Sequence, residues 1–149
     1  MKVGQYFKRS VVAIGSNADI AEAARLMRTH HVGFLVVLGD GDLQKPVGVL
    51  TDRDIVLQVV AREVDPGSIT VQDVMTRDPM IATEEDVLGD VLQAMRFAGI
   101  RRVPVVDVRG ALSGIIAIDD AIELVAGLLC DISGSIKREQ TQEQRTRPA

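Results

Sequence analysis

The stretch that decides the fold is Gly48-Val49-Leu50-Thr51-Asp52-Arg53-Asp54, a β-prone run that turns into hydroxyl and carboxylate side chains. A related stretch, Gly114-Ile115-Ile116-Ala117-Ile118-Asp119-Asp120, lies in the second half of the chain. Apolar segments follow both, at residues 55–60 and 121–125. Thr and Asp favour helix starts, because their side-chain oxygens accept hydrogen bonds from free backbone N–H groups. Each stretch therefore predicts a strand that leads directly into a helix.

The rest of the chain is duplicated around these stretches. At an offset of 68 residues, 24–28 aligns with 92–96, and Val32 aligns with Ile100. Each half opens with a β-prone run, at 11–14 and 80–83, and continues with a helix of regular apolar period. The predicted apolar stripes are Ile20, Ala23, Ala24 and Met27, then Leu88, Val91, Leu92 and Met95. With strands at 33–38 and 102–106, the order is β-α-β-β-α, twice, which predicts a mixed α+β fold.

The repeat sets the expected boundaries. Residues 1–65 are the first repeat with its lead-in, and 66–132 are the connector with the second repeat. Residues 133–149 are polar and of mixed charge, so we expect a disordered tail. Pro104 interrupts a strand and is expected at a strand edge or start, because it has no N–H to donate. The turn at 39–42 is the longer of the two strand connections.

Composition excludes several classes of function. The chain has 149 residues, a net charge of −4 and only 3% aromatic residues, which argues against a nucleic-acid surface. Neither a signal peptide nor an apolar run of 18 residues is apparent, so we expect a cytoplasmic protein without a membrane partner. The single Cys130 lies in an apolar run and is expected to be buried.

The sequence gives little support for catalysis. It contains neither a G-x-x-x-x-G-K-[ST] phosphate loop nor a G-x-S-x-G nucleophile elbow. The acidic pairs at 52–54 and 119–120 are accounted for by helix starts and ligand binding. We therefore predict no enzymatic activity, no cofactor and no metal site.

The pattern G-h-h-T-x-x-D at 48–54, where h is apolar, resembles the signature of CBS domains. Residues 75–79 and 103–107 are similar to other characteristic segments of that family, and the resemblance covers about residues 11 to 130. It implies two repeats packed about a pseudo-twofold axis, and two chains joined as a disc-like homodimer. The helices at 55–60 and 121–132 are the expected interface.

The resemblance also implies two ligand clefts for an adenine nucleotide (AMP, ADP or ATP), each built from both repeats. Site one is expected to combine Thr51 and Asp54 with Thr76, Met80 and Ile100, with Gly48 permitting close approach. Site two is expected to combine Asp120, Arg101 and Arg102 with Val12 and Val32. Nucleotide occupancy would then be read by an unidentified regulated protein.

The chemistry of these residues leaves alternatives open. Asp54 can accept hydrogen bonds from a ribose diol, and Thr51 adds a hydroxyl where helix N–H groups favour phosphate. Both side chains are equally well explained as helix caps. Ala117 lacks the hydroxyl in the second repeat. The chain could therefore be a docking or dimerisation module that binds no ligand, or could bind another adenosyl compound such as S-adenosylmethionine.

Overall fold

The computed structural model describes residues 1–41 and 44–146 of the chain. Its elements within those ranges are β1 (Ala13–Gly15), α1 (Ile20–His30), β2 (Phe34–Leu38), β3 (Pro46–Thr51), α2 (Asp52–Ile55, continued by a π-helical turn over Val56–Val60), α3 (Val71–Val74), β4 (Thr76–Arg77), β5 (Ala82–Thr83), α4 (Leu88–Ala98), β6 (Arg102–Val106), β7 (Leu112–Ala117) and α5 (Ile118–Thr146). The predicted α+β class and its duplication are confirmed. Asp42, in the predicted turn at 39–42, lies outside the described residues.

The strands form two sheets of the same design. One has the order β1-β2-β3-β4 and the other β5-β6-β7. The first pair of each is parallel and the second antiparallel. Val37 pairs with Gly48 in the first sheet, and Val105 pairs with Gly114 in the second. The pairing of three strands is therefore repeated in the two sheets, and β4 is an additional strand of the first.

Each sheet buries its own core against its own helix. Ile20, Ala23 and Met27 of α1 are buried with Leu35 and Leu50. The second core buries the equivalent face of α4 and contains Leu88, Val91, Met95, Val103 and Ile116. Ala24, predicted on the apolar stripe, is exposed and Leu92 is only half-buried. The helical period is thus correct, and the buried stripe is narrower than predicted.

The packing units do not follow the predicted division at residue 65. Lys8 exchanges two backbone hydrogen bonds of 2.9 Å with Ile115, and Val3 is fully buried in the second core. Val71 lies instead in the first core. The start of the chain therefore completes the second repeat, and the connector completes the first.

Two glycines permit these crossings. A Cβ on Gly48 would meet the Met75 side chain and would lie 3.0 Å from the Thr76 carbonyl oxygen. A Cβ on Gly114 would meet Phe7 and the Lys8 carbonyl. Gly48 thus permits the close approach of the β4 backbone.

Pro104 lies in the middle of β6, the central strand of its sheet, and not at an edge or start. Its equivalent, Val36, donates a 3.1 Å hydrogen bond to the carbonyl of Val12. Pro104 has no N–H with which to make the matching bond to Met80. The parallel pairing therefore starts one residue later than in the first sheet, at Ala82–Val105.

The last helix departs most from prediction. α5 continues to Thr146, so residues 133–146 are helical where a disordered tail is predicted; residues 147–149 lie outside the described part. No described residue of α5 is buried, and Cys130 is exposed, contrary to its predicted burial. Within the ranges 1–41 and 44–146, no helix combines the length and apolar character needed to cross a membrane.

Candidate functional site

The first cleft is built around the junction of β3 and α2. Thr51 caps the helix by accepting a 3.1 Å hydrogen bond from the Asp54 N–H, and Asp54 Oδ2 accepts one of 2.9 Å from the Thr51 N–H. This reciprocal capping box confirms that both residues serve as caps. A carboxylate has about four acceptor positions, so the half-buried Asp54 keeps capacity for a ligand.

The cleft has a volume of about 570 Å³ and draws on both repeats. Of the residues predicted for site one, it brings together Thr51, Asp54, Thr76, Met80 and Ile100. Its other lining residues are Gly33, Phe34, Val49, Asp52, Arg53, Asp78, Pro79, Ala98, Gly99, Arg101 and Arg102. A cavity of this size is in the range of small-molecule sites.

Both predicted arginines lie on this cleft. Arg101 is assigned to site two by the sequence, yet it lines the first cleft and forms a 3.1 Å ion pair with Asp119. Arg102 lies over the Phe34 ring, 5.9 Å from its centroid, and lines both clefts. Phe34 and Arg102 are equivalent positions of the two repeats, so this pair forms a wall shared by the two clefts.

The opposite part of the first cleft is apolar, with Met80 and Ile100 both half-buried. Because Pro104 cannot donate, the Met80 carbonyl receives no hydrogen bond from the described residues. The equivalent Val12 carbonyl is occupied by the N–H of Val36. The Met80 carbonyl therefore has no hydrogen-bond donor among the described residues, whereas the Val12 carbonyl has one.

The second cleft has a volume of about 270 Å³ and adjoins a cavity of about 560 Å³, with which it shares Val12 and Val32. It brings together Val12, Val32, Arg102 and Asp120 of the predicted site two. It also contains Lys8, whose Nζ lies 2.5 Å from Asp120 Oδ1. Ala117 occupies the position of Thr51 and supplies no hydroxyl.

Lys8 and Phe34 line the clefts but are not among the predicted site residues. The offset of 68 places Lys8 opposite Thr76 and Phe34 opposite Arg102, and this was the available signal. The hydrogen bond and the charge attraction from Asp120 raise the pKa of Lys8; desolvation opposes them, and Glu123 and Asp119 add smaller increases. Lys8 is therefore a cation at neutral pH. In the described part of the chain, no three His, Cys, Asp or Glu side chains are grouped as a metal site would require.

Comparison with known proteins agrees with this architecture. The family model described as "CBS domain" matches residues 3–61 and 71–127. Protein MK0525 of Methanopyrus kandleri is 32% identical over 143 residues, which cover 95% of this chain and 71% of that protein.

Two solved structures are similar in fold at 28% identity. CBS domain protein PAE2072 from Pyrobaculum aerophilum, complexed with AMP, has a TM-score of 0.72 and matches 80% of this chain and 89% of its own. The CBS domain pair of protein MJ0100, in complex with 5-methylthioadenosine and S-adenosyl-L-methionine, has a TM-score of 0.73 and matches 85% and 97%. The duplicated fold, its paired clefts and these matches together assign the chain to the CBS-domain family, as a tandem pair of CBS domains.

Proposed function

We propose that the chain is a regulatory, non-catalytic module that binds an adenine nucleotide in the first cleft and transmits its occupancy to a partner protein. The main support for this proposal is that Asp54, Arg101 and Arg102 line one cleft of about 570 Å³ together with the apolar Met80 and Ile100. These groups match the diol, the phosphate and the base of a nucleotide. Binding these three parts of a nucleotide requires no chemical reaction.

Each part of the nucleotide has a counterpart in the cleft. Asp54 accepts from the ribose hydroxyls through the oxygen that the capping box leaves free. Guanidinium groups suit phosphate oxygens, because they donate several hydrogen bonds in one plane. The Met80 carbonyl accepts from the adenine amino group, which a guanine base lacks at that position. The cleft therefore favours adenine over guanine.

Two alternatives have specific support. The AMP complex of PAE2072 favours a nucleotide, whereas the MJ0100 complex favours an adenosyl compound such as S-adenosylmethionine. A module that only docks a partner is favoured by the weak second cleft, in which Ala117 replaces the hydroxyl residue. The two arginines on the first cleft support the nucleotide, because S-adenosylmethionine carries no phosphate.

The test is thermal unfolding of the purified protein with AMP, ADP, ATP, NAD, S-adenosylmethionine and GMP. A ligand at about 100 times its dissociation constant stabilises the folded state by about 2.7 kcal/mol. We expect a rise in Tm with adenine nucleotides that is smaller with S-adenosylmethionine and absent with GMP. If none of these compounds changes the Tm, the result would favour the docking module and overturn the nucleotide proposal.

We propose further that two chains associate through α5 and the π-helical turn after α2. Apolar side chains along α5 are spaced by three and four residues, namely Ile122, Val125, Leu129, Ile132 and Ile136, and all are more than half exposed. Val56 and Val60 add an exposed apolar surface on the other helix. A helix with exposed apolar side chains at this spacing can pack them against the same helix of a second chain, which supports a homodimer.

Sedimentation equilibrium tests the dimer. We expect twice the chain mass for the wild type and a monomer for Leu129→Glu, because the new carboxylate would be buried in the seam. Arg145→Glu, at the exposed end of the same helix, is the control and should stay dimeric. A monomeric wild type at micromolar concentration would contradict this assembly.

A further inference from the structure

The two clefts differ most at one pair of equivalent positions. Thr76 pairs with Val49 beside β3, and Lys8 pairs with Ile115 beside β7 in the same relation. In the described residues no cation lies within 4.0 Å of the Asp54 carboxylate, whereas Lys8 contacts that of Asp120 at 2.5 Å. Among the described residues, the carboxylate of the first cleft thus has no ion-pair partner, and that of the second cleft has one.

We propose that Lys8 closes the second cleft, so that each chain binds one nucleotide, and binds it in the first cleft. This inference rests on the proposed function, since it assigns the nucleotide to one of two related clefts. The Asp120 side chain is only 12% exposed with the ion pair formed, while Lys8 keeps 60% of its side chain exposed. In this ion pair Lys8 is the exposed partner and Asp120 the largely buried one.

Lys8 contacts Oδ1 of Asp120, so a ribose diol that binds through both carboxylate oxygens would have to displace an ion pair between two full charges. The raised pKa of Lys8 keeps the amine charged at neutral pH, so the contact persists under ordinary conditions.

The phosphate end of the second cleft is also weaker. Arg101 lines the first cleft alone, and Arg102 lines both. A phosphate in the first cleft would draw Arg102 toward it, leaving Lys8 as the one cation that lines only the second cleft. Ala117 provides no hydroxyl to replace the lost donor. Each of these differences lowers affinity in the second cleft relative to the first.

Isothermal titration calorimetry of the full chain with AMP tests the inference through stoichiometry. We expect one AMP per chain for the wild type and a second, weaker binding event in Lys8→Thr, which installs the residue of the first cleft. The Lys8 backbone makes the strand contact to Ile115, so this substitution spares the fold. Lys2→Ala is the matched control: Lys2 is also 60% exposed and forms a 2.5 Å ion pair, with Glu85, away from both clefts.

The outcomes separate the inference from the proposed function. Two AMP per wild-type chain, reduced to one in Lys8→Thr, would make Lys8 a phosphate ligand and overturn the inference while keeping the function. One AMP per chain in both proteins would show that Lys8 is not what closes the cleft. Absence of AMP binding by either protein would overturn the proposed function itself. One AMP in the wild type and in Lys2→Ala, with two in Lys8→Thr, supports the inference.

Discussion

Replacing Asp54 by alanine separates the two roles that the structure gives this carboxylate. The first role is structural, because Asp54 Oδ2 accepts a 2.9 Å hydrogen bond from the Thr51 N–H in the capping box. Losing a capping interaction costs about 0.5–2 kcal/mol of stability. The second role is the proposed bond to the ribose diol. Losing a hydrogen bond to a charged group costs about 1–3 kcal/mol, or about 5- to 150-fold in Kd.

The chain offers a matched control for the structural loss. Thr70 and Asp73 form a related cap at the start of α3, in which Asp73 Oδ2 accepts from the Thr70 N–H at 3.1 Å and from the Thr70 hydroxyl at 2.6 Å. Asp73 lines neither cleft. Asp73→Ala should therefore lower the free energy of unfolding by about the same 0.5–2 kcal/mol and leave AMP affinity unchanged.

The assay combines urea unfolding with calorimetric titration of AMP for both variants. We expect similar losses of stability and a loss of affinity in Asp54→Ala alone. Equal AMP affinity in wild type and Asp54→Ala, with folding verified by circular dichroism, would refute the ribose role of Asp54. Equal weakening in both variants would show that the cap acts on binding only through stability.

Three further predictions follow from the same structure. Leu50→Ala should lower the free energy of unfolding by about 2–5 kcal/mol in urea titrations, because Leu50 is fully buried in the first core, and a loss under 1 kcal/mol would contradict that packing. Ala117→Thr should raise the free energy of unfolding by about 1 kcal/mol, because the new hydroxyl supplies the missing cap of α5. The AMP stoichiometry should stay at one per chain, and a lower stability would contradict the equivalence with Thr51. The Ala111 and Arg109 N–H groups hold the pKa of Asp107 below its ordinary 3.8. The stability that this carboxylate contributes is therefore present above about pH 4 and lost as pH falls through the folded-state pKa. The Tm of the wild type should then fall more steeply with acid than the Tm of Asp107→Asn. Parallel curves of Tm against pH would contradict the lowered pKa.

The duplicated core could be predicted because its signals are local. The period of α1 and α4 and the β-prone runs between glycines correctly indicate the order of elements. The clefts are harder, because they depend on which segment closes which sheet. Lys8 reaches Asp120 only because the start of the chain joins the second sheet, and no local pattern near Lys8 encodes that pairing. The same long-range closure places Gly48 against β4.

Pro104 and α5 were misjudged for different physical reasons. Pro104 is accommodated in a central strand because the parallel pairing with β5 starts at the next residue, Val105. No hydrogen bond of that pairing is therefore required from the Pro104 nitrogen. The polar end of α5 has no apolar face to indicate a helix by composition. It extends an existing helix, so the cost of nucleation has already been met by the first turns. Ser135 and Thr141 donate to the carbonyls of Asp131 and Lys137, which occupies hydroxyls that could otherwise compete with the backbone.

The most direct test of the account is a crystal structure of the chain grown with saturating AMP. We expect one AMP per chain in the first cleft, with its ribose hydroxyls on the Asp54 carboxylate, its phosphate near Arg101 and Arg102, and its amino group on the Met80 carbonyl. The Lys8–Asp120 ion pair should remain in place across an unoccupied second cleft. AMP bound elsewhere, or a first cleft empty at saturation, would contradict the central claim.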